Sequence, residues 1–190
     1  MIDTSFIPFY TMNKKRYYIS HLENIELLTS VPAGYVEYAL DLGCGKGADA
    51  CYLESLGFRV VAVDEEQHYL KAAIADIRHF TIEKEKYAVI ICNNVLPFIS
   101  DKKDVEQIIS RIIGGLRKTG VAFFTVYGPH SGFKDDPGMC FYEHEEILSI
   151  IKGFPIEVMD KTTTEGYTKN GKGEIIYQHS HRFILRKIAY

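Results

Sequence analysis

The chain has 190 residues, 46% of them apolar and 25% charged, with a formal net charge of −3. That length suits one domain able to bury about two-thirds of the surface of its unfolded form, and no linker divides it, so residues 1–190 are read as a single unit with an amino-terminal segment, 1–35, ahead of a core, 36–190. The acidic balance argues against a surface that coats nucleic-acid phosphates, no apolar run approaches the roughly 20 residues of a bilayer span, and the opening MIDTSFIPFY lacks a basic stretch before a long apolar core; a cytoplasmic protein without nucleic-acid or membrane partners is expected.

Taken from the start, Phe6 to His21 holds Phe6, Phe9, Tyr10, Tyr17 and Tyr18. That aromatic density is high for a surface tail and suits a lid with apolar area to bury on closure, or else a fixed helix packed on the core. An amphipathic helix follows at Leu22 to Leu28. Ala39, Leu40 and Leu42 then form a short apolar strand that stops at Gly43, Ala48 to Leu56 reads as a helix, and Arg59 to Val63 forms a second strand that stops at Asp64. A short helix is predicted over Gln67 to Ala75, then a polar turn from Asp76 to Phe80, then the strongly apolar strand Tyr87 to Cys92, closed by Asn93 and Asn94. Apolar residues at 105, 108, 109, 112, 113 and 116 give the period of a helix over Lys103 to Leu116. The strand Val121 to Tyr127, the helix Glu143 to Ile151 and the strand Ile156 to Thr162 follow. Thr163 to Glu174, with Gly166, Gly171 and Gly173, reads as an exposed excursion, and Gln178 to Lys187 as the last strand. Strands alternating with helices imply an α/β fold on a mainly parallel, helix-flanked sheet.

The segment YALDLGCGKGADACYLESLGFRVVAVDEE, Tyr38 to Glu66, carries the chemistry. Gly43, Gly45 and Gly47 offer no side chain to collide with a ligand and tolerate the positive φ of a sharp strand-to-helix turn, and Cys44 contributes its backbone rather than its sulfur. Asp64, followed by Glu65, stands at the end of the second strand, where a carboxylate accepts from both ribose hydroxyls. Dinucleotide turns read G-x-G-x-x-G, whereas this one reads G-x-G-x-G after Asp41. That pattern resembles motif I of the class I S-adenosylmethionine (SAM)-dependent methyltransferases, in which the turn faces the amino-acid part of SAM. The resemblance implies that Asp41 helps to hold the ammonium group, that Asp76 and Ile77 read the adenine edge, and that Asn93 and Asn94 face the cofactor near the transferable methyl. It also implies a Rossmann-like sheet of seven strands, helices on both faces and an antiparallel last strand. Tyr52-Leu53, Leu56-Gly57-Phe58 and His21 narrow the resemblance toward the branch of the tellurite-resistance and thiopurine-type small-molecule enzymes, over roughly Tyr17 to Lys187.

The implied function is transfer of a methyl group from SAM to a small-molecule acceptor, releasing S-adenosylhomocysteine (SAH). A non-catalytic SAM-binding or regulatory protein is the alternative, and the glycine spacing disfavours a nicotinamide enzyme. Substrate-side candidates are Tyr10, Tyr17, Tyr18 and His21 before the core, and Tyr127, His130 and Phe141 after the fifth strand, since pockets are aromatic with few polar groups. No catalytic base stands out. His179-x-His181 reads as a half-exposed ladder rather than a metal site, because no third ligand is near in sequence, and the scattered Cys44, Cys51, Cys92 and Cys140 read as reduced thiols. The oligomeric state stays open.

Overall fold

Alternation along the central strands sends neighbouring side chains to opposite faces, and each face finds its own helical cover. The computed structural model describes residues 31–169 and 173–188. Its strands are β1 (Tyr38–Leu42), β2 (Arg59–Asp64), β3 (Ala73–Ile74), β4 (Tyr87–Cys92), β5 (Leu116–Tyr127), β6 (Ile156–Lys169) and β7 (Ile175–Lys187), and its α-helices are α1 (Ala48–Ser55), α2 (Lys102–Gly115) and α3 (His144–Ile151). They form one seven-stranded sheet in the order β3-β2-β1-β4-β5-β7-β6. The first five strands pair in parallel, and β7 inserts antiparallel between β5 and β6.

On one face, Leu40, Leu42, Ile90, Cys92, Phe124 and Phe183 pack with Val105, Ile108, Ile109, Ile112 and Ile113 of α2 and Ile147 and Ile151 of α3. On the other, Ala39, Val89, Ile91, Phe123 and Ile184 pack with Tyr52 and Leu53 of α1. All six residues of β4 are buried, as expected of a central parallel strand covered on both sides. The start of α2 is set by Asp101, whose carboxylate accepts from the Lys103 N–H at 2.8 Å. A reciprocal capping box between Glu143 and Glu146 starts α3.

Three expectations are corrected. The helix over Gln67 to Ala75 is absent: the chain turns there and enters β3, because Tyr69 and Ala72 are drawn onto Cys44, Ala50 and Ala62, leaving no face for a helix to bury. Thr163 to Lys169 is no excursion but the continuation of β6, paired with β7 from His181 to Ile175; the β-branched run Thr162-Thr163-Thr164 favours that extension. His179 and His181 are no half-exposed ladder, being 4% and 3% exposed. Tyr10, Tyr17, Tyr18, His21 and the expected lid lie outside the described residues.

Buried His179 and His181 form an array with half-buried His144 and exposed His130. His130 stacks on His179 with ring centroids 4.8 Å apart, His179 meets His181 edge to face at 4.7 Å, and His181 stacks on His144 of α3 at 4.9 Å. The Thr163 hydroxyl bonds His181 Nδ1 at 2.9 Å, whereas Nε2 of His181 and of His144 is buried without a hydrogen-bond partner among the described residues. Burial, reinforced by His179 and His144, pushes the His181 pKa down from 6.5 to about 4. Between those values the unfolded chain binds a proton that the folded chain refuses, so stability rises with pH across the window and is lost as pH falls through it. Urea titrations should show a midpoint falling from pH 6.5 to 4, with a shallower fall in His181→Gln; equal slopes would remove this residue as the cause.

Candidate cofactor site

The glycine turn leaves β1 at the carboxyl edge of the sheet, and its first glycine, Gly43, lines a cleft there. Gly43, Gly45 and Gly47 take φ of 68°, 50° and 76°, all in the left-handed region. At Gly47 an added Cβ would fall 2.5 Å from the Tyr69 ring and at Gly43 2.1 Å from Val95, while at Gly45 it would meet nothing within 4 Å. Two of these positions are therefore small for packing. The third keeps space open in front of the turn.

The turn's amides decide which ligand it suits. Gly43 and Cys44 N–H both donate to Val63 O, at 2.8 and 3.0 Å, and Gly47 N–H donates to Cys44 O at 2.8 Å. Gly45 N–H donates to Asp64 Oδ2 at 2.7 Å. A phosphate-binding turn presents such donors to the anion, whereas these four are spent inside the protein and the group at the mouth is a carboxylate. The turn suits a hydroxyl-bearing or cationic ligand. Asp64 Oδ1 accepts from Glu66 N–H at 3.0 Å, leaving one lone pair on each oxygen for a ribose.

Gly43, Asp64, Glu65, Asp76, Ile77 and Asn94, all expected from the sequence, line one cavity of about 290 Å³ together with Arg78, Val95, Phe98 and Ser100. Asp41, Cys44, Gly45, Gly47 and Asn93 are not among its lining residues. Asp41 is buried at the end of β1. With burial it pushes the Cys44 thiol up to about 12, which keeps that sulfur protonated and unreactive. Asn93 Oδ1 is buried and accepts no hydrogen bond from the described residues.

At the far end of the cleft, Asp76 is gripped by Arg78, whose Nε lies 2.8 Å from Oδ2 and whose backbone N–H lies 2.8 Å from Oδ1, and the guanidinium holds this carboxyl below the usual range. Arg78 was missed in the sequence, where only its spacing of two from Asp76 could have marked it. Arg111 of α2 donates to Ile77 O at 3.1 Å and Phe80 O at 2.9 Å, tying this segment to the helix. Asn94, at φ 56°, donates its N–H to Thr125 Oγ1 at 2.7 Å, which turns it into the cleft.

Beyond Asn94 the substrate-side candidates come together in part. Tyr127 meets Phe98 edge to face at 6.4 Å and stacks on Phe133 at 6.0 Å, and it bridges through the backbone to Phe141. His130 lies apart from these rings, on His179. A second cavity of about 300 Å³ shares Asn94 with the first and is walled by polar residues including Thr125, Gln178, Ser180 and Arg182. Arg182 is neutralised by Asp160 at 2.8 Å.

Sheet order, turn and cleft together define the fold of the SAM-dependent methyltransferases, and residues 40–124 match the methyltransferase domain family. The chain is 29% identical over 129 residues to YqeM of Bacillus subtilis (strain 168), a methyltransferase by name, covering 59% of this chain and 51% of YqeM. It thus spans about half the length of that curated relative. Among solved structures, TehB from Haemophilus influenzae is similar with a TM-score of 0.71 and 19% identity, over 92% of this chain and 64% of TehB. The N-methyltransferase NodS from Bradyrhizobium japonicum WM9, solved with SAH, is similar with a TM-score of 0.62 and 16% identity, over 89% of this chain and 86% of NodS. The cofactor these matches imply is SAM.

The two kinds of glycine separate by mutation. Gly45→Val should keep the fold at a cost of about 1–2 kcal/mol for the left-handed residue while abolishing SAM binding by calorimetry. Gly47→Val must also displace Tyr69 and should lower the melting temperature further. Unimpaired SAM binding by folded Gly45→Val would show that the turn is not the cofactor's seat.

Proposed function

We propose that the protein is a SAM-dependent methyltransferase that acts on a small-molecule acceptor in the cytoplasm. The observation that carries this reading is the turn whose amides are closed off by Val63 O and Asp64, in one cleft with Asp76 and Ile77, within the stretch that matches the methyltransferase domain family. SAM bound there supplies an electrophilic methyl on a sulfonium, and the chain's task is to align the acceptor and exclude water. The rings of Phe98 and Tyr127 and the polar second cavity behind Asn94 favour a small acceptor over a macromolecule. Among the described residues, no helix is long and apolar enough to cross a membrane.

Incubation with SAM and a panel of hydroxyl, amine and thiol acceptors should release SAH. Binding of SAM without turnover of any acceptor would leave a SAM-binding protein instead, and binding of NADH but not SAM would overturn the cofactor assignment. Asp64→Ala removes both the ribose acceptor and the partner of Gly45 N–H. It should weaken SAM binding roughly 10- to 100-fold, about 1.5–3 kcal/mol, with a cooperative melting transition retained. Unchanged affinity would sink the ribose role.

A further inference from the structure

The fold gathers three groups that are distant in sequence: His130 from the loop after β5, Glu165 from β6 and His179 from β7, with one ligating atom of each within 4.8 Å of the others. Two imidazoles and a carboxylate suggest a metal, and the hydrogen bonds decide against it. His179 Nδ1 accepts the backbone N–H of His130 at 3.1 Å. A neutral ring accepting at Nδ1 carries its proton on Nε2, the nitrogen 3.5 Å from Glu165 Oε1. A metal at Nε2 would have to displace that proton from a ring whose other nitrogen already faces a donor.

The same carboxylate oxygen lies 3.1 Å from His130 Nδ1. A carboxylate accepts, so the His130 proton sits on Nδ1 and its Nε2 lone pair is left outward, on a side chain 70% exposed. Buried His179, 4% exposed, thus lies beside Glu165, and Glu165 sets the tautomer of His130. This is the logic by which a carboxylate readies a histidine to take a proton. The groups facing His130 are Glu165 on β6 and His179 on β7, with His181 next behind His179. His130 itself lines neither cavity, but it follows by three residues Tyr127, whose ring meets Phe98 of the cofactor cleft, and its partner Glu165 contributes to the wall of the cavity that shares Asn94 with that cleft.

Resting on the methyltransferase reading, we propose that His130 is the general base that takes a proton from the methyl acceptor, with Glu165 and His179 as positioning residues, and that the acceptor is a hydroxyl or an amine rather than a thiolate. His130 Nε2 takes the proton from oxygen or nitrogen as that atom's lone pair forms the bond to the methyl carbon. The carbon–sulfur bond breaks, its electron pair stays on sulfur to give SAH, and the proton passes from the exposed imidazole to solvent.

Three probes test this with the full chain: catechol, tryptamine and 4-nitrothiophenol, the last ionised at neutral pH without help. The expected result is methylation of the catechol or the amine, lowered roughly 100-fold or more in kcat by His130→Gln with SAM affinity unchanged. Any turnover of the thiol should stay within about threefold of the parent, since a thiolate has no proton to lose. Glu165→Gln should lower kcat toward the hydroxyl or amine acceptor with SAM affinity unchanged. Nitrogen-15 spectra should show His130 with its proton on Nδ1 in the parent, a preference weakened in Glu165→Gln. Methylation of the thiol alone, turnover of none of the three, an Nε2–H tautomer at His130, or one-site zinc binding by calorimetry that His130→Gln abolishes would each overturn the proposal. Failure to bind SAM at all would instead bring down the methyltransferase reading, so the two failures are distinguishable.

Discussion

The hydrogen bond from Gly45 N–H to Asp64 Oδ2 joins the two halves of the candidate cofactor site. Three consecutive alternate positions in left-handed backbone make a turn that would open readily by itself, and a charge-assisted bond to the end of the next strand holds it shut. Gly43 and Cys44 N–H, both on Val63 O, add the backbone half of the same clamp. The consequence is chemical as well as structural. With four of its donors consumed and a carboxylate in front, the turn suits hydroxyls better than phosphate, so the same interaction that shapes the backbone also bears on the ligand.

That clamp works only because β1 and β2 lie side by side in register, with Leu42 opposite Val63. The register is held by burial on both faces of the sheet, α1 on one side and α2 with α3 on the other, so a one-residue slip would exchange the two cores. The inserted β7 performs a different task. Running antiparallel between β5 and β6, it carries Phe183 and Leu185 into one core and Ile184 into the other, while its first half rises past the end of β5 with β6 alongside. The part above the sheet brings His179 and Glu165 to the rim where His130 leaves β5.

What could be read from the sequence follows from how local each feature is. The glycine turn, Asp64, the run Tyr87 to Cys92 and the periodic helix from Lys103 each need about ten neighbouring residues to declare themselves, and each stands where it was expected. Arg78 and the long β6 did not declare themselves. Arg78 has a role because its guanidinium folds back on Asp76 in the cleft, and β6 extends because Ile175 to His181 lies opposite, a pairing invisible until the sheet is assembled. Gln67 to Ala75 misled in the opposite sense: its residues suit a short helix, but the pull of Tyr69 and Ala72 onto α1 and β2 outweighs a propensity worth only tenths of a kcal/mol per residue.

The histidines show the same limit in its sharpest form. Alternating polar residues along a last strand suggest a half-exposed ladder with one wet face, which is the expectation for His179-x-His181. Yet the inserted position of β7 buries both rings, and α3 closes over them with His144. The rings are held by specific partners, an amide donor at His179 Nδ1 and the Thr163 hydroxyl at His181 Nδ1. Ring on ring, the array extends from the interior to the exposed His130. The long-range pairing that hid these residues from a linear reading is therefore also what orders them.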